Sequence, residues 1–441
     1  MGSHSPVNAH VENVLLIVMI QLMVIIASAR ISGVLFRRLG QPQVCGEIAA
    51  GLILGPSLLG GLMPGLFARV FDPSVSQIFS ILSQTGLVLL MFLIGLEFDF
   101  GHLDENRHSA FSISIAGIVL PFGLGFALGW FLHGQMGLSG SWINFALFMA
   151  AAMSITAIPI LGRIMVELGL NRTRIGALTI SAAAIDDATG WIILALVTAI
   201  VRSSFDAWKL SLMIAEVAGF AALMMFVVRP QLIRWTRATL AKSGGELSLN
   251  ALAVLLILIL ISAMATNLIG IFSIFGAFFF GAILYDQHEF TAAVKRRLSD
   301  FVTVFFLPIF FTYTGLRTDI GTMTGATLWF YCGLVLAAAM IGKFGGCSIA
   351  ARANGLPWRE SAIVGVMMNT RALMELIVIN IGYDLGVIPK SVFFMLVFMA
   401  VFTTYITTPL LRRLVHSSEV EESYQASEFA AHRAGLKSRA G

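Results

Sequence analysis

Charged side chains are scarce in this sequence. Asp, Glu, Lys and Arg make up 12% of its 441 residues, whereas soluble domains carry about 25%. Hydrophobic residues make up 58%, and the mean hydropathy is +0.89. A soluble core of this size cannot hide so much apolar surface. The sequence therefore predicts an all-α membrane protein whose solvent is the lipid bilayer.

Cysteine is also scarce, and the apolar stretches lack the residue patterns of common catalytic sites. The three cysteines, Cys45, Cys332 and Cys347, lie inside or at the edge of apolar stretches, with spacing that fits neither a metal motif nor a disulfide framework. We interpret them as packing thiols. The apolar stretches hold no Ser-His or zinc pattern. We expect no enzyme activity and no resident cofactor.

The segment before the first apolar run lacks Lys and Arg, although a signal peptide needs a basic start. The basic cluster of Arg30, Arg37 and Arg38 follows that run instead, which predicts a retained first span. The net charge of +4 comes from basic residues in short loops, where membrane topology explains them. We therefore expect no nucleic-acid partner.

A membrane span needs about 20 mostly apolar residues, and the chain offers about thirteen such segments. Their approximate limits are 12–36, 44–61, 75–98, 109–133, 141–166, 175–201, 208–235, 248–267, 269–286, 299–318, 326–351, 359–383 and 391–414. If the N-terminus lies outside, the loops facing the cytoplasm hold sixteen Lys and Arg residues and the outer loops hold five. The positive-inside rule favours this orientation, with a cytoplasmic C-terminus.

Two pairs of motifs recur seven spans apart. The third span ends in GLEFDF from Gly95 and the tenth in GLRTDI from Gly315, while the second reads GEIAAGLIL from Gly46 and the ninth GAFFFGAIL from Gly276. Because seven is odd, the two copies must insert in opposite directions. Inverted repeats of this kind are typical of secondary transporters, whose sites lie near the midplane on broken helices.

The repeat pairs the fifth span with the twelfth, and both are interrupted. The fifth reads AAMSITAIPILGR, and it contains Ser154, Thr156 and Pro159. The twelfth reads VGVMMNTRALMELIVINIG, which places Asn369, Thr370, Arg371 and Glu375 in mid-span. Breaks at these points would free backbone groups for an ion site. A simple proline kink in the fifth span is the alternative.

Few ionisable residues lie within the predicted spans, and each costs roughly 2.5–3.5 kcal/mol at a span centre. Those that we single out are Glu47 in the second span, Asp186 and Asp187 in the sixth, Lys343 in the eleventh, and Arg371 and Glu375 in the twelfth. We interpret Arg371 with Glu375 or Glu47 as a supporting ion pair. One lysine cannot neutralise two adjacent aspartates. One of them must therefore bind a proton or a metal cation.

These motifs resemble those of the monovalent cation:proton antiporters, in the sodium/proton exchanger-like superfamily. The resemblance runs from about Val14 to about Arg413 and rests on GEIAAGLILGPSLLG, LMFLIGLEFD, SITAIPILGRIMVELGLNRTRIGALTISAAAIDDATGWIILA, GKFGG and VMMNTRALMELIVINIG. It implies thirteen spans, a dimerisation part, and a core in which the fifth and twelfth spans break and cross. We expect a transmembrane domain over 1–415, with core spans at about 75–201 and 299–414, and a short polar cytoplasmic tail over 416–441.

The resemblance also implies roles for the site residues. Asp187 would be the main carrier of cation and proton, Asp186 would pair with Lys343, and Thr156 would add an oxygen ligand. The bound metal would be a monovalent cation held by Asp187, Asp186 and Thr156. Many relatives carry Asn or Gln in place of Asp186 and are electroneutral or linked to potassium, whereas this chain has the Asp-Asp form.

The C-terminal tail is too short to fold alone and has no dinucleotide fingerprint, so we expect no nucleotide-binding regulatory domain in this chain. The resemblance implies a homodimer in the lipid bilayer, and we expect a bacterial inner membrane.

The predicted function is secondary active antiport of Na⁺ or Li⁺, with K⁺ as a further candidate, for H⁺. We expect it to be electrogenic, with cation and proton competing for Asp187. The alternatives are an electroneutral K⁺/H⁺ antiporter and a sodium-coupled solute symporter on the same fold. An ion channel and an intramembrane aspartyl protease fit less well, because such a protease needs its two acids on separate helices.

Overall fold

The described part of the chain is built of helices and the turns that join them. A computed structural model describes residues 6–41, 43–97, 107–156, 158–167, 170, 173–202, 206–371 and 373–415, and no strand occurs among them. The predicted tail over 416–441, together with Phe98–Phe100 of the GLEFDF motif, lies outside the described residues.

The described residues form nineteen α-helices, which are numbered in chain order. They are α1 Pro6–Arg38, α2 Gln43–Leu54, α3 Pro64–Val70, α4 Ser76–Glu97, α5 Arg107–Gln135, α6 Trp142–Ser154, α7 Ile158–Glu167, α8 Arg174–Arg202, α9 Ala207–Ala222, α10 Arg229–Lys242, α11 Leu249–Ile269, α12 Ser273–Ala282, α13 His288–Phe301, α14 Leu307–Arg317, α15 Ala326–Met340, α16 Gly346–Ala353, α17 Trp358–Met368, α18 Leu373–Asp384 and α19 Lys390–Val415. Short π-helical turns join α9 to α10, α13 to α14 and α15 to α16, which makes each of these pairs one long helix.

Each of the thirteen predicted spans coincides with helical structure. Among the described residues, nine helices are long and apolar enough to cross a membrane, and α17 with α18 adds a tenth span that bends by 43° at its break. The remaining three predicted spans contain shorter apolar helices, at Cys45–Gly60, Trp142–Ser154 and Ser273–Ala282. The exact count of thirteen depends on these three and stays a prediction.

The chain divides into two compact units. The first comprises Met1–Arg37, Gly46–Phe98 and Ser211–Gly321, and the second comprises Arg38–Cys45, Asp99–Leu210 and Thr322–Gly441. All the predicted intramembrane charges except Glu47 belong to the second unit. The segments 75–98 and 299–318, which the sequence-based division gave to the core, cluster with the first unit. Which unit moves and which dimerises stays a prediction.

Reciprocal glycine contacts join the helices of the first unit. A Cβ atom on Gly51 of α2 would lie 2.4 Å from the carbonyl oxygen of Phe311, and one on Gly315 of α14 would lie 2.1 Å from that of Gly51. Likewise, a Cβ atom on Gly95 of α4 would lie 2.2 Å from the Phe278 carbonyl in α12. These backbones approach so closely that only glycine fits.

The contact between α2 and α14 and the contact between α4 and α12 are equivalent under the internal repeat. The sequence matches α2 to α12 and the end of α4 to the end of α14, and the structure packs α2 on α14 and α4 on α12. A third pair agrees, because Gly46 meets the Ser32 carbonyl and Gly276 meets the Ser262 carbonyl at the same chain offset. This exchange of partners supports the internal repeat.

Replacing Gly315 with Ala should lower stability, because the new Cβ atom would overlap the Gly51 backbone. Overpacking costs about 1–3 kcal/mol, and the thermal melting temperature of the detergent-purified protein should fall by several degrees. Gly219→Ala is the matched control, since a Cβ atom there meets nothing within 4 Å on α9. Equal melting temperatures for the two variants would contradict this packing.

Candidate functional site

The adjacent aspartates lie in the middle of α8, inside the second unit. Both side chains are fully buried, at 0% exposure. Helices α5, α6, α7 and α17 all pack against α8. In a low-dielectric interior each carboxylate needs either hydrogen-bond donors or a counter-charge. The two aspartates differ in the number of hydrogen-bond donors and counter-charges that surround them.

Asp186 forms a complete ion pair with Lys343. The Lys343 ammonium lies 2.9 Å from Oδ2 and 3.0 Å from Oδ1 of Asp186, and it also donates to the Ser154 carbonyl. An ammonium has three donors, so all three have acceptors here. The π-helical turn Ile341–Gly345 between α15 and α16 carries this lysine, and such turns are frequent at functional sites.

The break in the fifth span provides a further donor to Asp186. Helix α6 ends at Ser154, and Ile155 has extended backbone angles, with φ −86° and ψ 140°. This conformation frees the Thr156 amide from helical bonding, and that amide donates to Asp186 Oδ2 at 2.9 Å. Asp186 is therefore satisfied by one charge and one backbone donor.

The breaks in the fifth and twelfth spans lie against each other. The Thr156 hydroxyl donates to the Met368 carbonyl at 3.1 Å, and Met368 is the last residue of α17. A backbone carbonyl at the end of one helix thus accepts a hydrogen bond from a side chain at the other break. The contact joins the two interrupted spans at the position of the aspartates.

Asp187 has no such support. Neither of its carboxylate oxygens has a hydrogen-bond partner within the described part of the chain. The Trp191 indole lies one turn further along α8, on the same face of the helix as Asp187. The Asp187 carboxyl is thus a buried acid whose oxygens lack hydrogen-bond donors in the described part of the chain.

Arg371 connects the surrounding elements through main-chain contacts. Its guanidinium donates to the Ala152 carbonyl of α6 at 3.2 Å and to the Ala339 carbonyl of α15 at 3.4 Å. Its backbone amide donates to the Thr404 hydroxyl of α19 at 3.3 Å. The break in the twelfth span is thereby tied to three other helices of the second unit.

Of the two candidate partners for Arg371, the structure places Glu375 beside it. The Arg371 Nη1 and Glu375 Oε1 atoms are 3.6 Å apart, and both side chains are fully buried. Glu47 belongs to the first unit instead, where its Oε1 lies 3.8 Å from Arg30 Nη1. Glu375 is thus the acid of this pair.

Several functional contacts could not be read from residue types. The acceptors on Ser154, Met368, Ala152 and Ala339 are backbone carbonyls, and every residue type has one. Trp191 was also missed as a neighbour of Asp187. Its position four residues along a helix was the available signal.

Known proteins resemble this chain in sequence over most of its length. The sequence matches the family described as "Sodium/hydrogen exchanger, transmembrane" over residues 23–416. It is 40% identical to the Na(+)/H(+) antiporter NhaS4 of Synechocystis sp. over 409 residues, which cover 91% of this chain and 98% of NhaS4. It is 30% identical to K(+)/H(+) antiporter 1 of Saccharomyces cerevisiae over 89% of this chain and 45% of that protein, so it spans about half the yeast protein's length.

The fold is similar to a solved structure, that of the sodium proton antiporter MjNhaP1 from Methanocaldococcus jannaschii at pH 8. The TM-score is 0.62 with 13% sequence identity, over 95% of this chain and 99% of that chain. At such low identity the similarity concerns the fold alone. Since the family match covers most of the sequence, this multi-pass membrane protein belongs to the transmembrane sodium/hydrogen exchanger family of cation:proton antiporters.

Proposed function

We propose that this chain exchanges protons for a monovalent cation across the membrane, and that Asp187 carries both ions. The observation behind this proposal is a charge imbalance among the buried charged side chains that the structure describes in the second unit. Asp186 with Lys343, and Glu375 with Arg371, are two neutral pairs. Asp187 is left as one excess negative charge, which a single proton or a single monovalent cation would balance.

The chemistry around Asp187 suits a hard monovalent cation, which binds oxygen ligands. Asp187 offers two carboxylate oxygens without hydrogen-bond partners in the described part of the chain, and the Thr156 hydroxyl lies at the adjoining break. A carboxylate oxygen that holds a proton cannot hold a cation. Competition for one group therefore couples the two flows without any separate gate.

We favour Na⁺ or Li⁺ as the transported cation, with K⁺ as the alternative. NhaS4 is named as a Na⁺/H⁺ antiporter and matches this chain along nearly its whole length, whereas the yeast relative is named as a K⁺/H⁺ antiporter. Selectivity between these ions depends on ligand distances in the loaded site. Adding Na⁺, Li⁺, K⁺ and Rb⁺ in turn to proteoliposomes that contain a pH-sensitive dye would rank them.

We further propose that exchange is electrogenic. A cation that enters beside Asp187 weakens the Asp186–Lys343 pair, because its positive charge lies close to the ammonium. The lysine can then release a proton in addition to the one displaced from Asp187. Two protons would move against one cation, and the cycle would carry net charge.

The proposed setting is a bacterial inner membrane, with the N-terminus outside and the C-terminus in the cytoplasm. The second unit, which holds Asp186, Asp187 and Lys343, would move as the core, and the first unit would dimerise. Apolar side chains on α1 and α9, including Leu16, Met23 and Leu212, are exposed in the single chain. Lipid or a second copy of the chain would cover them.

Asp187→Asn should abolish exchange, because an amide neither ionises nor releases a proton. Flux is measured as cation-induced pH change in proteoliposomes, and folding is checked by gel filtration and melting temperature. Asp206→Asn, in the exposed loop before α9, is the control and should leave flux unchanged. Normal exchange by well-folded Asp187→Asn protein would exclude Asp187 as the shared carrier.

Electrogenic exchange should respond to membrane potential. One charge moved through 100 mV is worth about 2.3 kcal/mol, so an imposed potential should change both the flux and its reversal point. The measurement uses liposomes clamped with K⁺ and valinomycin, or with another ionophore if K⁺ is itself transported. Flux that ignores potential would instead indicate that Lys343 never releases its proton, and exchange would be electroneutral.

A further inference from the structure

Glu375 is a second buried acid whose oxygens lack hydrogen-bond donors. It lies in the first turn of α18, at 0% exposure. Within the described part of the chain neither of its carboxyl oxygens has a hydrogen-bond partner. An ionised carboxylate has room for about four such bonds. Its environment therefore resembles that of Asp187 rather than that of Asp186.

The cation paired with Glu375 is Arg371, and it directs its hydrogen-bond donors elsewhere. Arg371 lies 3.6 Å away, but its guanidinium donates to the carbonyls of Ala152 and Ala339. The pair thus has charge attraction without a hydrogen bond. A buried ion pair offsets its desolvation only when geometry is good and the remaining polar atoms are satisfied. A proton on Glu375 would relieve that cost without moving Arg371.

Among the described residues, few other charged groups lie near Glu375. Lys343 is the second cation close enough to act on it. The two helices that pack most against α18 are α6, which has no titratable residue, and α19. The titratable residues of α19 lie towards its ends or at the exposed Tyr405; they are Lys390, Tyr405, Arg412 and Arg413. In α18 itself the others are Tyr383 and Asp384, at its far end.

The charge on Glu375 decides the net charge of the buried charged side chains that the structure describes in the second unit, which are Asp186, Asp187, Lys343, Arg371 and Glu375. When Glu375 is ionised, it neutralises Arg371 and leaves Asp187 as an uncompensated negative charge that attracts a cation. When Glu375 carries a proton, Arg371 balances Asp187, and the set is neutral without any bound cation.

We propose that Glu375 is a second proton-binding site, distinct from Asp187, and that its proton lowers the affinity of Asp187 for the cation. This inference rests on the proposed function of Asp187. Rising pH would remove the Glu375 proton and strengthen cation binding. This effect adds to the direct competition between proton and cation at Asp187. Exchange is therefore slower at acidic pH than competition at Asp187 alone would make it.

The contacts of Arg371 give this effect a route. Ala152 lies two residues before Ser154, whose carbonyl accepts from Lys343, and Ala339 lies four residues before Lys343 itself. Arg371 therefore touches both elements that hold the Asp186–Lys343 pair. A change in its counter-charge reaches the aspartates both through these contacts and through the low-dielectric interior.

The test is the pH profile of apparent Na⁺ affinity in proteoliposomes, for wild type and Glu375→Gln. The amide mimics the protonated acid. We expect the variant to match wild type at the acidic end and to bind Na⁺ about threefold to tenfold more weakly at the alkaline end. Glu375→Asp should keep the steeper wild-type profile. Asp384→Asn, at the exposed end of the same helix, is the matched control and should not change it.

Parallel profiles for wild type and Glu375→Gln would overturn the inference, even if the variant melted at a lower temperature. If Glu375→Gln does not fold, infrared spectroscopy replaces it. A pH-dependent band of a protonated carboxyl should then shift in Glu375→Asp, and the absence of any shift would contradict the proposal. Asp187→Asn measured in parallel separates the two proposals, because exchange by that variant refutes the proposed function, whereas parallel profiles refute only the role of Glu375.

Discussion

A carboxylate buried without donors or a counter-charge is the constraint on which this site depends. Asp187 lies inside a helix of an apolar protein, and neither oxygen has a hydrogen-bond partner in the described part of the chain. Such a group is stable in a low-dielectric interior only when it binds a proton or a cation. Under the proposed function, the same desolvation cost that would destabilise a structural acid suits this one to carry an ion.

The surrounding architecture gives the Asp186 carboxylate a counter-charge and a backbone donor, whereas the adjacent Asp187 carboxylate has no hydrogen-bond donor in the described part of the chain. The two broken spans release a backbone amide at Thr156 and a carbonyl at Met368, and the first of these supports Asp186 while the second accepts from Thr156. Lys343 forms an ion pair with Asp186. Arg371, at the break in the twelfth span, donates a hydrogen bond to the Ala152 carbonyl of α6. The excess charge is thereby confined to one side chain.

Much of this could be predicted from sequence, because the relevant signals are local. Runs of about 20 apolar residues predict spans, and charges within those runs single out Asp186, Asp187, Lys343 and Arg371. The glycine pattern of α2 and α12 revealed the repeat. The sequence left open whether Arg371 pairs with Glu375 or Glu47, since that choice depends on which unit each acid joins. The carbonyl acceptors were invisible, because backbone groups carry no sequence signal.

The central claim is that proton and cation compete for Asp187, and proton release on cation binding tests it most directly. Na⁺ is added to weakly buffered, detergent-purified protein, while binding is followed by calorimetry and released protons by a pH indicator. The account predicts proton release that saturates together with Na⁺ binding and disappears in Asp187→Asn. Saturable Na⁺ binding to wild type with no proton release at any pH would contradict it.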